Sequence, residues 1–168
     1  MDKVPFTIRP GGPDDAAAIH DLVTALAIYE REPDAVEATV EDFRRGFGDD
    51  GQGAAFEVLI AEVGDDAVGF ALFFPVFSTW TGKRSLYLED LFVRPEMRGH
   101  GVGKALFAAL AKRAVERGWE RYEWQVLDWN EPAIDFYESQ GAQARRDWIP
   151  FRMSGDALAR LADESSEA

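Results

Sequence analysis

From residue 86 to residue 93 the chain is apolar at every position except Glu89 and Asp90, and Arg94-Pro95 then halts the run. The cluster Arg98-Gly99-His100-Gly101-Val102-Gly103 follows, and Ala105, Leu106, Ala109, Leu110 and Ala114 repeat at helical spacing until Gly118. A strand, a glycine loop and a helix in that order confine the chain to mixed α/β architecture. They also put its chemistry where the strand ends.

A loop between strand and helix offers unpaired backbone N–H groups and the positive end of a helix dipole, which together favour a phosphate. A dinucleotide-binding fold needs Gly-x-Gly-x-x-Gly and an acidic residue about 20 positions on, whereas this loop is spaced Gly-x-Gly-x-Gly. A nucleoside-triphosphate loop needs glycine where Arg98 stands and Ser or Thr where Ala105 stands. At the level of spacing alone, a plain strand-to-helix turn stays open beside a phosphate cradle.

Around this unit the pattern predicts a strand over 4–9, stopped by Pro10-Gly11-Gly12-Pro13, and a helix carrying Ile19, Leu22, Val23, Leu26 and Tyr29 that ends near Glu32-Pro33. A short helix over 39–47, capped by Thr39 with Asp42 three residues on, precedes a glycine- and aspartate-rich loop at 48–53. Strands at 56–63 and 68–77 form a hairpin through Gly64-Asp65-Asp66. Beyond Gly118 the pattern predicts a strand at 122–127, a helix from the Asn130 cap to Gln140-Gly141, closing strands at 142–147 and 148–153, a terminal helix at 154–162 and a frayed acidic tail at 163–168. No repeat or linker interrupts the 168 residues, so a single domain over 1–168 is expected.

The formal charge is −13, from 31 acidic against 18 basic residues, a field that repels nucleic acid and anionic membrane and suits a cationic partner. No cysteine is present, which excludes disulfides, thiolate metal sites and a cysteine nucleophile. His20 and His100 are the only histidines, too few for a metal site or a triad, so no metal is expected. No apolar run approaches the roughly 20 residues that span a bilayer, and residues 1–9 lack a signal-peptide core, so no membrane partner and a cytoplasmic location are expected.

Arg98-Gly99-His100-Gly101-Val102-Gly103 resembles the acetyl-CoA pyrophosphate loop of the GNAT superfamily of N-acetyltransferases, whose pattern is Gln/Arg-x-x-Gly-x-Gly/Ala. Leu86-Tyr87-Leu88-Glu89-Asp90-Leu91-Phe92-Val93 before it and Trp129-Asn130-Glu131-Pro132-Ala133-Ile134-Asp135-Phe136-Tyr137 after it resemble the diamine (spermidine/spermine) and thialysine branch, as do Tyr29-Glu30 and Trp80-Thr81-Gly82-Lys83. Similarity therefore runs from about Ile8 to Met153. The resemblance implies an α/β (α+β) fold, a mixed and mostly antiparallel central sheet of six to seven strands flanked by about four helices. It also implies acetyl-CoA as cofactor, a small cationic amine as acceptor, direct attack, and a homodimer.

Carried over position by position, the resemblance implies cofactor contacts from Leu91, Phe92 and Val93, from Arg98, Gly99, His100, Gly101, Val102, Gly103 and Lys104, and from Asn130, Ala133 and Tyr137. The N–H of Val93 matches the group that polarises the thioester carbonyl. An alkyl amine with a pKa of about 10.4 needs help losing a proton at neutral pH, and Glu89 matches the base while Tyr137 matches the acid that protonates the leaving thiolate. Tyr29, Glu30, Glu89, Glu123, Trp124 and Gln125 match positions that hold the acceptor. Strand alternation predicts that Asp90 points to the opposite face from Glu89. Polyamine enzymes carry acidic residues near 145–147, and this chain departs from them with Arg145-Arg146. An acetyltransferase acting on a protein amine and a non-catalytic acyl-CoA-binding module are the competing functional readings.

Overall fold

The strong β-formers of residues 57–93 pair into two long hairpins, and the rest of the first unit is laid against them. The computed structural model describes residues 4–49, 51 and 53–164, which fall into two compact units, Met1–Gln125 and Val126–Ala168. The first unit runs β1 (Thr7–Pro10), α1 (Ala16–Tyr29), α2 (Val40–Arg44), β2 (Glu57–Val63), β3 (Asp66–Ser78), β4 (Lys83–Val93), α3 (Val102–Glu116) and β5 (Tyr122–Trp124). Single helical turns at Pro13–Asp15 and Pro95–Met97 lead into α1 and follow β4, and a wider turn at Arg45–Asp49 extends α2.

The sheet order is β1-β2-β3-β4-β5, antiparallel up to β4, with β5 parallel to β4. Gly64, at φ 61°, makes the two-residue β2–β3 turn, because the turn that matches strand twist needs a positive φ. A parallel neighbour cannot be reached by a tight turn, and α3 supplies the crossover from β4 to β5. One sheet face presents Val58, Ile60, Phe70, Leu72 and Phe92 to Ile19, Leu22 and Leu26 of α1. The other is covered by α3, where Phe107 stacks on Tyr122 at 4.6 Å and Arg113 lies over the Phe73 ring at 5.8 Å.

Thr39 caps α2 as its spacing predicts: the Asp42 N–H donates to Thr39 Oγ1 at 3.2 Å, and Asp42 Oδ2 accepts from the Thr39 N–H at 2.7 Å. The second unit contains α4 (Glu131–Ser139) and α5 (Gly155–Glu164). Asn130 caps α4 through Oδ1, which accepts from the Ala133 N–H at 3.4 Å. Among the described residues no helix is long and apolar enough to cross a membrane.

Among the described residues, five strands and five helices replace the six to seven strands and about four helices expected from sequence. Residues 142–147 and 148–153 form no strand, and β5 stops at Trp124 instead of 127. A strand is defined by its partner; none is paired with 142–153, and Pro150 has no N–H to offer one. Of the expected frayed tail, Asp163 and Glu164 remain helical, and residues 165–168 lie outside the described residues. Asp50 and Gln52 of the expected 48–53 loop, and residues 1–3 of the segment read for a leader, also lie outside them.

Candidate active site

In the β3–β4 register Leu72 faces Asp90 and Phe73 faces Leu88, so Glu89 is an extra residue without a partner, a β-bulge. Such a residue breaks strict alternation. Asp90 shares the face of Leu72, which α1 covers, and Tyr87 reaches that same face to stack on Phe74 at 5.3 Å. The expectation that Asp90 points away from Glu89 is thereby corrected: the bulge turns Glu89 and Asp90 toward one region.

The electrostatics agree. Burial first, and then the negative charges of Glu89 and Glu30, push the Asp90 carboxyl up to about 7. Glu30, just past the end of α1, is itself raised by burial. Tyr87 is raised by burial first, then by Glu89 and by Glu123, which lies beside it in the β4–β5 register. Glu30, Asp90, Glu89 and Glu123 thus form one acidic chain of neighbours, and among the described residues none of the four is in an ion pair.

β5 pairs with β4 only from Leu86 to Leu88, so past the bulge no strand among the described residues pairs with that edge of β4. The Arg94 N–H donates to the Val68 carbonyl at 2.9 Å, so by alternation Phe92 turns its N–H and carbonyl to β3, and the backbone groups open at that edge are those of Leu91 and Val93. Phe92 is withdrawn from that edge, its ring being buried in the α1-side cluster, whereas Leu91 and Val93 are half-buried.

Beyond β4 the loop closes onto α3. Gly99 and Gly101 have φ of 81° and 90°, values that only glycine adopts without strain, and a Cβ on either would meet no atom within 4 Å. Conformation, not crowding, requires glycine at these two positions. Gly101 caps α3 and cannot cap it with a side chain; the first helical bond runs from the Ala105 N–H to the Gly101 carbonyl at 3.0 Å. The N–H groups of Val102, Gly103 and Lys104 precede that bond and are free of helical partners, which is the cradle an anionic diphosphate needs. The residues present therefore fit such a group. His100 is held from outside the loop, its Nδ1 accepting from the Val4 N–H at 3.3 Å.

The motif gives Arg98 to the cofactor, but its side chain turns back: Nε donates to the Val93 carbonyl at 3.1 Å and the guanidinium lies 4.5 Å over the Tyr29 ring. Tyr29 and Glu30 are accordingly brought to the end of β4. Trp124 packs edge-on against Phe107 at 5.1 Å, on the α3 side, while Glu123 faces Tyr87 on the other; Gln125 follows, exposed. In the second unit Ala133 lies in the first turn of α4, and Tyr137 lies further along it with its ring 5.3 Å from that of Phe136. Sequence reading missed the placement of Asp90 beside Glu89 and Glu30. The signal was present, because two adjacent acids in an apolar strand break its alternation.

Known proteins resemble this chain. Residues 17–142 match the acetyltransferase (GNAT) family. A thialysine N-epsilon-acetyltransferase of Sus scrofa is 36% identical over 167 residues, covering 92% of this chain and 96% of that protein. An L-ornithine N5-acetyltransferase of Arabidopsis thaliana is 49% identical over 90 residues, covering 54% of this chain and 40% of the relative. Among solved structures, an integron cassette protein from the mobile metagenome of V. cholerae superposes with a TM-score of 0.78 at 26% identity, over 94% of this chain and 97% of that one.

Proposed function

The chain belongs to the acetyltransferase (GNAT) family and is an N-acetyltransferase, and on that premise we propose that its acceptor is a small molecule carrying a primary amine beside a second cationic group, of the thialysine, ornithine or diamine kind. The observation that carries this is the acidic chain Glu30, Asp90, Glu89 and Glu123, without a counter-ion among the described residues, at the bulge of the strand that leads into the glycine loop. One carboxylate suffices to take a proton from an ammonium. Others are left to hold a second positive charge.

In this reading the N–H groups of Gly99 to Lys104 hold a diphosphate, and the open edge of Leu91 to Val93 lies along the attached arm. Acetyl-CoA bound there would supply the thioester whose acyl carbon the amine attacks. The Val93 N–H polarises the carbonyl under attack. Glu89 receives the ammonium proton, directly or through water, and Asp90, pushed up to about 7, is a second acceptor poised near neutral pH. On the resemblance, the Tyr137 hydroxyl would give its proton to the sulfur that leaves as the amine's C–N bond forms, and would be reprotonated from water. Asn130 and Ala133 are assigned to cofactor contact on the resemblance.

The family match crosses the division between the two units, which supports reading 1–168 as one catalytic domain. A homodimer and a cytoplasmic location complete the proposal, and sedimentation equilibrium tests the former. The acceptor is tested by release of CoA from acetyl-CoA over a panel of thialysine, ornithine, diamines, polyamines and lysine-containing peptides. Turnover on free dibasic amines supports the assignment; turnover on peptides alone overturns it.

A further inference from the structure

Arg98 occupies the position that the family pattern gives to the diphosphate loop, yet its side chain turns away from that loop. Nε donates to the Val93 carbonyl at 3.1 Å, and the guanidinium carbon lies 4.5 Å from the Tyr29 ring centre and 5.7 Å from that of Phe92. One side chain therefore spans the carboxyl end of β4, the following loop and the last residue of α1. Tyr29 is followed by Glu30, whose charge reaches Asp90.

We propose that Arg98 is a positioning residue for the acceptor side of the site rather than a ligand of the cofactor diphosphate. It holds the Tyr29 ring, and with it Glu30, at a fixed distance from the bulge carboxylates. A planar guanidinium suits the role, since one edge donates to a carbonyl while the face stacks on an aromatic ring. Tying down the end of α1 at the bond to Val93 also places the acceptor subsite relative to the backbone N–H that faces the acyl group. The inference rests on the acetyltransferase reading, and it separates two properties which a phosphate ligand would join.

Calorimetry with CoA and steady-state kinetics with the best amine are compared for wild type, Arg98→Gln, Arg98→Lys, Tyr29→Leu and the Arg98→Gln/Tyr29→Leu double variant. Arg98→Gln should leave the CoA Kd within about twofold and raise the amine KM by about tenfold, in line with loss of an aromatic contact and a charge-assisted hydrogen bond. Lysine, which keeps the charge, should recover part of that loss and gives a second test should glutamine impair folding. Because both single changes break the Arg98–Tyr29 contact, the double variant should lose less than the sum of the two single effects. A CoA Kd weakened about tenfold with an unchanged amine KM would overturn the proposal and return Arg98 to the diphosphate. Additive single effects would overturn it as well. If wild type itself binds no CoA, what fails is the reading of the loop.

Discussion

Asp90 stands directly across from Leu72 in the β3–β4 register, and Leu72 belongs to the apolar cluster that α1 closes. A carboxyl held against that cluster ionises with difficulty, and this one is pushed from an ordinary 3.8 up to about 7, by burial first and by Glu89 and Glu30 after it. The rise makes the folded state bind its proton more tightly than the unfolded chain between those two values. The stability that Asp90 contributes is thus complete below pH 3.8 and lost as pH rises through 7. Asp90→Asn should accordingly raise stability by about 1–4 kcal/mol at pH 8 and by almost nothing near pH 4. Urea unfolding of both proteins at the two pH values checks the sign.

The same group predicts a kinetic signature. If Asp90 accepts the ammonium proton, kcat/KM of wild type rises through pH 7, and the limb is absent in Asp90→Asn. Glu89→Gln should lower kcat by about 10²–10⁴ if Glu89 is the acceptor instead. Comparing the two pH profiles assigns the proton to one of the adjacent acids.

The glycine loop separates conformation from space. Gly101 has φ 90°, so Gly101→Ala should destabilise the protein by about 1 kcal/mol or more and weaken CoA binding as the N–H groups turn away. Gly103 carries no positive φ, and a Cβ there meets Val93 Cγ2 at 3.7 Å, an ordinary contact. Gly103→Ala should leave the melting temperature and the CoA Kd close to wild type. Differential scanning calorimetry and titration with CoA test the pair.

Tyr137 is assigned as the proton donor to sulfur. Tyr137→Phe keeps the ring that lies beside Phe136. Turnover should fall by about 10²-fold while CoA affinity stays within about twofold, the split expected when only the transition state loses an interaction. An unchanged kcat would remove the hydroxyl from the mechanism.

Glu57 ties β2 to the end of α3, accepting from Arg117 at 2.5 and 2.7 Å and from Arg113 at 3.2 Å. Arg117 before all else holds its carboxyl below the usual range, so its contribution to stability is present above 4.5 and disappears as pH falls through the lowered value. Glu57 is about two-fifths exposed, which limits the effect. Glu57→Gln should destabilise by about 1 kcal/mol at pH 7 and by less as the pH falls through the lowered value, as urea midpoints across the acid range will report.

Much of this site is legible without the fold. The glycine loop, the strand ahead of it and the Thr39 and Asn130 caps are local patterns. Each is specified by the φ angles or hydrogen-bonding groups of a few consecutive residues, and each stands where the pattern puts it. The last two strands are not legible in this way, because the β-forming residues of 142–153 become a strand only if an edge is available to them. The contact of Arg98 is hidden for a related reason: its place in the motif is a property of the chain, while its stacking on Tyr29 joins residues 69 positions apart.

By itself, then, the sequence determined the local elements and the chemical kind of the site, since periodicity, capping and glycine placement act over one or two turns of chain. Only the tertiary structure decided which carboxylates meet. A single unpaired residue in the β3–β4 ladder turned Asp90 onto the face of Glu89 and α1, and its burial there followed from packing against Leu72 that no neighbouring residue encodes.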